Sequence, residues 1–243
     1  IVIISNERYH VYSRPLISYL LMGKTDENRM KYRGDSFYSD NNCELMLNKT
    51  AVRIDPDKKL VHLDDGTAVS YDRLLLCTGA SPVIPPVPGL DKVRNRFTFT
   101  TLDDARALND ALRENSRVLI MGAGLIGLKC AEGISKRNVS ISCVDLAPRI
   151  LSSILDDESA EIVKRHLEEH GIRFYLNRRV TEFEEGTAYL DDNTPVRFDV
   201  LVIAVGVRPN ISLLKDIGGK TNRGIIIDER CRTSIPDIYA AGD

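Results

Sequence analysis

Apolar residues in this chain gather into short unbroken runs, separated by stretches in which they recur every three or four positions. Five runs, "IVIIS" at 1–5, "RLLLCTG" at 73–79, "RVLIMGAG" at 117–124, "VSISCVD" at 139–145 and "DVLVIAVG" at 199–206, are mostly closed by Gly or Asp. Continuous rather than alternating apolarity predicts parallel strands covered on both faces. Between them, "TLDDARALNDALRE" sets Leu102, Ala105, Leu108, Ala111 and Leu112 on one stripe, with Thr101 or Asp103 able to cap the start. "DDESAEIVKRHLEEHG" groups Ile162, Val163 and Leu167, and Gly171 follows at a good helix-ending position. Strand alternating with helix in this way predicts a doubly wound α/β fold.

Two regions break the rhythm. Residues 44–72 and 179–199 carry hairpin signals, "DPDKK" and "DDG" in the first, between short alternating strands, and so predict two small antiparallel meanders. Each meander precedes a buried run ending in Gly, which makes an internal repeat that is clear in order though weak in letters. The proline-rich "SPVIPPVPG" at 81–89 cannot be helix or central strand and is the natural linker between the copies.

Charge and cysteine usage narrow the chemistry. The 243 residues carry 33 Lys and Arg against 35 Asp and Glu, a formal net charge of -2. Scattered signs give no basic stripe for a phosphate backbone, so nucleic acid is not expected as a partner. No apolar run approaches the roughly 20 residues that span a bilayer, so no membrane role is expected either. The five cysteines, 43, 77, 130, 143 and 231, show no CxxC and no zinc-ligand spacing, which fits a reducing, cytoplasmic setting with no metal site. Cys77 and Cys143 lie in apolar runs and are expected to be small buried residues. "IVIIS" has no initiator Met and reads as a strand already under way, and "DIYAAGD" stops as a strand finishes, so a piece of a longer protein is expected.

The richest chemistry lies in "VLIMGAGLIGLKCAE", residues 118–132. A strand meets three glycines spaced GxGxxG, and a helix opens behind them. Gly122 permits the tight turn, Gly124 lets a pyrophosphate approach the backbone around Leu125 and Ile126, and Gly127 lets helix and strand pack closely. Asp145, 18 residues after Gly127 at the end of the next strand, can accept hydrogen bonds from an adenosine ribose and would repel a 2′-phosphate. That pattern favours NADH, and Arg149 four residues on could soften the preference. In the first copy only the second strand, "IVIIS", is present, and Glu7 stands where Asp145 stands in the second.

"YSRPLISYLL" at 12–21, "LLLCTGASPVIPPVPG" at 74–89, "GAGLIGLKCAE" at 122–132, "AVGVRPN" at 204–210 and "IYAAGD" at 238–243 together resemble successive signatures of the FAD-dependent pyridine-nucleotide oxidoreductases. The resemblance is nearest to the flavin domain of NADH-dependent nitrite reductases and to rubredoxin and ferredoxin reductases. It implies two Rossmann-like three-layer domains, the NAD(P)-binding one at 96–208 inserted into an FAD-binding one at 1–95 and 209–243, each with its meander. It further implies that Glu7 resembles the FAD ribose ligand, that Arg14 approaches the FAD diphosphate and that Val52 lies near the adenine. Thr78 and Gly79 resemble the turn beside the cofactor, Gly206 belongs to the "AVGVRPN" signature, and Asp243 resembles the acid on the flavin ribityl chain. Plain alternatives stay open at this stage: simple turns for Thr78–Gly79 and Gly242–Asp243, a surface charge for Arg14, and a core residue for Val52.

The departures from that family also inform. No CxxxxC pair and no cysteine near Arg14–Pro15 is present, so reduction through a protein thiol is not expected. Lys129 stands where many relatives have Glu near the nicotinamide, a mark of the nitrite-reductase-like branch; the bland reading is a solvated helix lysine. Tyr19 stands where ferredoxin reductases often carry Lys. The activity implied is transfer of electrons from NADH through FAD to a small electron-transfer protein or fused redox domain, in a full-length parent that could be a homodimer. The cofactor does the chemistry, so no catalytic side chain is named. A nucleotide-binding redox sensor, or an inactive NAD-binding fragment of such an enzyme, is the alternative.

Overall fold

The structure is a computed structural model that describes residues 1–242. It forms two compact units. One takes in Ser13–Met30 and Pro82–Val207; the other is made of Ile1–Tyr12, Lys31–Ser81 and the chain from Arg208 onward.

The unit containing the glycine turn is built on a five-stranded sheet. Its strand order is Ile172–Leu176, Ser140–Asp145, Arg117–Met121, Val200–Ile203 and Arg96–Phe97, and every neighbouring pair is parallel. The middle strands are apolar on both faces because both are covered: all four residues of Val200–Ile203 are buried, as are Val118 to Met121. Helices Leu102–Ala111, Leu125–Ile134 and Asp157–Glu169 make the crossovers. The first begins at a full capping box, Thr101 with Asp104, so Thr101 rather than Asp103 is the cap. The last is capped by Asp156, whose Oδ1 accepts from the Ser159 amide at 2.8 Å, and ends before Gly171 at φ +83°.

One face of this sheet meets the antiparallel meander Val180–Glu184, Thr187–Leu190 and Pro195–Arg197. Leu119, Met121, Val144, Leu201 and Ile203 pack there with Phe183, Leu190, Val196 and Phe198. The Phe183 and Phe198 rings meet edge to face at 5.7 Å. The proline-rich segment lies against the meander, where a Cβ on Gly89 would stand 2.1 Å from the Phe183 carbonyl oxygen. Elsewhere in the unit the short helix Ile17–Leu21 packs on Leu125–Ile134. Gly133 permits that approach, since a Cβ there would lie 3.2 Å from the Ser18 carbonyl oxygen. Besides residues 96–207 this compact unit includes residues 13–30 and 82–95.

The other unit has no continuous sheet among the described residues. Val2–Ser5 pairs in parallel with Glu44–Leu47, Leu74–Leu76 pairs in parallel with Ile238–Ala240, and Ala51–Asp55, Leu60–Leu63 and Ala68–Ser70 form a three-stranded meander. Its core is Ile54, Leu76, Leu214, Ile238 and Ala240.

Several expectations change. Glu44–Leu47 leaves the predicted 44–72 meander to pair with the first strand. That first strand is only half-buried, with Val2 exposed, because it has one partner rather than two. Cys77 is exposed, just beyond the end of Leu74–Leu76, whereas Cys143 is buried as expected and Cys130 joins it. Ile162 is 62% exposed; Ala160, Val163 and Leu167 form the inward stripe instead, at i, i+3 and i+7.

Candidate functional site

The turn between Arg117–Met121 and Leu125–Ile134 is held by backbone contacts that leave no room for side chains at two of its glycines. Gly122 has φ +107°, and a Cβ there would fall 2.2 Å from the Ala204 carbonyl oxygen, so the neighbouring strand end passes directly beneath it. A Cβ on Gly127 would fall 2.0 Å from the Gly122 carbonyl oxygen, which locks the helix onto the turn. Gly124 is different. Nothing lies within 4 Å of where its Cβ would be, so space opens beside the helix start.

That open space faces unpaired donors. The amides of Leu125 and Ile126 have no acceptor among the described residues, as expected for the first turn of a helix. The positive end of the helix dipole adds to them. Leu125 is exposed, Ile126 is partly buried and Gly127 is buried, so the backbone rather than the side chains forms the cradle.

Asp145 ends its strand half-buried beside this turn. Its Oδ2 accepts from the Ala123 amide at 2.6 Å and its Oδ1 from the Ala147 amide at 2.8 Å. The carboxylate therefore fixes the glycine turn from the inside, a role its sequence position did not reveal. Each carboxylate oxygen has a second lone pair, which leaves acceptor capacity for a ligand hydroxyl. The Gly122 amide donates to the Val144 carbonyl at 2.7 Å, and Leu151 donates to Ala123 at 2.9 Å, so turn, strand end and following loop form one hydrogen-bonded unit. Arg149 is spent within that loop: Nε donates to the Leu155 carbonyl at 3.1 Å and Nη1 pairs with Asp157 at 3.0 Å. Gly206, at φ +124°, lies three residues beyond Val200–Ile203, directly before the short strand Val207–Pro209, and its carbonyl accepts from Val83 at 3.0 Å.

Lys129, one turn into the helix, is neither free nor fully solvated. Its Nζ lies 2.5 Å from Glu132 Oε2 and 4.6 Å from the centre of the Tyr19 ring.

The remaining predicted residues divide between the two units. Arg14 belongs to the unit of the glycine turn, where Nη1 donates to the Thr100 carbonyl at 2.9 Å. Glu7, Val52, Thr78 and Gly79 belong to the other. Glu7 Oε2 accepts from the Tyr12 hydroxyl at 2.6 Å. Val52 is 54% exposed, so it is not a core residue of its strand. Asp243 lies outside the described residues.

Thr78 and Gly79 form more than a simple strand-ending turn. Thr78 Oγ1 donates to the Asn210 carbonyl at 2.7 Å, Asn210 Nδ2 donates back to the Thr78 carbonyl at 2.9 Å, and the Asn210 amide donates to Gly79 at 2.9 Å. Ser81 completes the clamp on Asn210 Oδ1 at 2.8 Å. The sequence reading did not single out Asn210 as the partner of this turn. An Asn that follows Pro beside a Gly turn was the available signal, since its amide can mimic a backbone pair.

No redox-active thiol pair is present among the described residues: all five cysteines are free. Burial pushes the Cys143 thiol up to about 12 and the Cys130 thiol higher still, which makes both inert. No group of three or more potential metal ligands occurs among the described residues, and no helix there is long and apolar enough to cross a membrane.

Comparison with known proteins agrees with this geometry. The family model described as pyridine nucleotide-disulphide oxidoreductase matches residues 1–243. The assimilatory nitrate reductase electron transfer subunit of Bacillus subtilis is 32% identical over all of this chain and 32% of its own length. A crystal structure of putidaredoxin reductase covalently joined to putidaredoxin superposes with a TM-score of 0.93 at 28% identity, over all of this chain and 61% of that one. An engineered NADPH oxidase bound to NADPH, derived from the water-forming NADH oxidase of Lactobacillus brevis, gives a TM-score of 0.91 at 26% identity over all of this chain and 56% of that one. The chain thus spans from about a third to three-fifths of the length of these relatives.

Proposed function

This chain belongs to the pyridine nucleotide-disulphide oxidoreductase family, and from that premise we propose that it is the nucleotide-handling part of a flavoprotein passing electrons from NADH to a one-electron protein acceptor. The observation that carries the reading is the glycine turn. Open space at Gly124, unpaired amides at Leu125 and Ile126, and a carboxylate at Asp145 fit a pyrophosphate with a ribose beside it.

On this reading the unit of 13–30 and 82–207 holds the pyridine nucleotide, and Glu7, Thr78 and Gly79 of the other unit hold FAD. A bound flavin accepts a hydride as two electrons and releases them singly. The chain's own part is to bind, orient and exclude. Backbone amides carry the pyrophosphate charge, Asp145 orients the ribose, and the Asn210 clamp fixes the Thr78–Gly79 turn.

NADH is favoured over NADPH on two grounds. Asp145 would repel a 2′-phosphate, and Arg149, the one nearby cation the sequence singled out, is committed to Asp157. The engineered oxidase supports the same choice: a glycine and an aspartate 18 positions apart are both replaced in that variant, which is bound to NADPH. Gly127 and Asp145 have that spacing here.

On this reading the acceptor is a small electron-transfer protein, and the two cysteines of the glycine-turn unit, buried and inert, take no part. A relative described as an electron transfer subunit and another joined to putidaredoxin support that class.

The test is an oxygen-free titration of the FAD-loaded protein with NADH. Bleaching of the flavin absorbance, followed by reduction of two iron–sulphur protein molecules per NADH, is the expected result. Bleaching with electrons passed only to a thiol or disulphide would overturn the acceptor assignment. Failure of NADH to bleach bound flavin would overturn the reading altogether.

A further inference from the structure

The two ends of the five-stranded sheet are chemically different. The carboxyl ends of its strands carry the glycine turn and Asp145. Toward the amino ends lies a groove of about 420 Å³, walled on one side by the first residues of Arg117–Met121 and Ser140–Asp145 and by Ile172–Leu176 as far as Tyr175, and on the other by Pro195–Arg197 of the meander. That volume is in the range of small-molecule sites.

Its charged lining is wholly cationic: Arg117, Arg173 and Arg197, with no carboxylate among the lining residues. Arg117 is committed, with Nε at 3.0 Å and Nη2 at 2.6 Å from the two carboxylate oxygens of Asp199. Arg173 and Arg197 are not. Neither has an ion pair or side-chain hydrogen bond among the described residues, and the hydroxyls of Ser140, Ser142 and Tyr175 in the same lining are likewise unengaged.

Sheet register explains why no acid answers them. Arg173 is registered with Ser142 on the neighbouring parallel strand, and Arg197 is opposite Thr187. Three partly buried arginines of this unit do have acid partners, Arg106 with Glu27, Arg149 with Asp157 and Arg178 with Asp192, whereas Arg173 and Arg197 are exposed. Two guanidinium groups left unpaired over one groove, beside three free hydroxyls, amount to a set of donors lacking an acceptor.

We propose that this groove is an anion site for a phosphate group. Paired guanidinium forks match the oxygens of a tetrahedral oxyanion, and the hydroxyls add neutral donors around it. The guanidinium-bearing part of the groove is distinct from the dinucleotide turn, because Arg173 is registered with Ser142, three residues or about 10 Å along the strand before Asp145. The phosphate can be free or carried on a small metabolite, since the groove is larger than the oxyanion alone.

Amide resonances of the ¹⁵N-labelled protein, titrated with inorganic phosphate and in parallel with ribose 5-phosphate, test this directly. Saturable shifts at Gly171, Arg173 and Arg197, with Gly122 to Gly127 unmoved and with saturating NADH making no difference, are expected. Tighter capture of the ester assigns the site to phosphorylated metabolites, and tighter capture of inorganic phosphate assigns it to the free ion. In the Arg173→Ala/Arg197→Ala double variant, phosphate affinity should fall by about tenfold or more while NADH affinity holds. Absence of saturable shifts at those three residues, shifts confined to the glycine turn, displacement of phosphate by NADH, or undiminished binding in the double variant would each overturn the proposal.

Discussion

The two units of this chain use the same kind of apolar run in opposite ways. In the nucleotide-binding unit, Val200–Ile203 lies between Arg117–Met121 and Arg96–Phe97 and is buried along its whole length. In the other, Val2–Ser5 has one neighbour among the described residues, and its burial there is not complete. Both runs read as buried strands in the sequence. What separates them is the number of neighbours each finds, because a parallel strand hides its backbone and both faces only in the interior of a layered sheet. Among the described residues burial is therefore most complete in the sheet of the glycine-turn unit, while the Thr78–Gly79 turn of the other unit is held by the Asn210 clamp.

The sharpest contrast is between equivalent truncations. Leu201→Ala removes a side chain with no exposure and should cost about 4 kcal/mol, whereas Ile3→Ala on the half-buried strand should cost about 1. Denaturant midpoints check both; similar losses would dissolve the contrast. Next in size is Gly122→Ala, which forces a left-handed backbone and a clash with the Ala204 carbonyl, for about 3 kcal/mol and loss of NADH binding. Near-UV dichroism with an NADH titration reads the two effects together, and a variant that still binds NADH normally would refute the tight turn.

In the other unit, Asn210→Ala strips the partners of the Thr78–Gly79 turn and should cost about 1–2 kcal/mol, seen as faster hydrogen exchange at residues 78–81 with the glycine turn unchanged. Unchanged exchange at that turn would mean the clamp is not what holds it. The smallest effect is alkaline. Cys130 and Cys143 have thiol values raised by burial above the unfolded 9.0, so the fold favours their protonated forms. That contribution is complete below the unfolded value and is lost as pH climbs above about 9. Urea midpoints should hold from pH 7 to about 9 and then fall in the nucleotide-binding unit. A thiol reagent at neutral pH should label Cys77 and Cys231 promptly and these two only on unfolding.

Much of the nucleotide-binding unit was legible because its signals are local. Run, GxGxxG and helix follow one another within 15 residues, Thr101 caps its helix through Asp104 only three residues ahead of it, and Gly171 acts through its own backbone. The misreadings have a common physical source. Glu44–Leu47 alternates enough to pass for a hairpin strand, yet its partner is more than 40 residues away. Cys77 belongs to an apolar run, but the strand stops at Leu76, and apolarity alone does not reveal where pairing ends. Ile162 and Val163 are adjacent, so only one of them can face inward on a helix. Ala160, too small to stand out, marks the true stripe. Asp145 was read as a ligand acceptor but not as the residue that fixes the turn, because its partner amides, Ala123 and Ala147, carry no side-chain signal.

The central claim is that the glycine turn and Asp145 form a site selecting NADH. Calorimetric titration of the protein and of its Asp145→Ala variant with NADH and with NADPH tests it most directly. The account predicts NADH binding about tenfold or more tighter than NADPH in the unaltered protein, with the preference gone in the variant. Equal affinity for the two nucleotides, or a preference that survives Asp145→Ala, would contradict it.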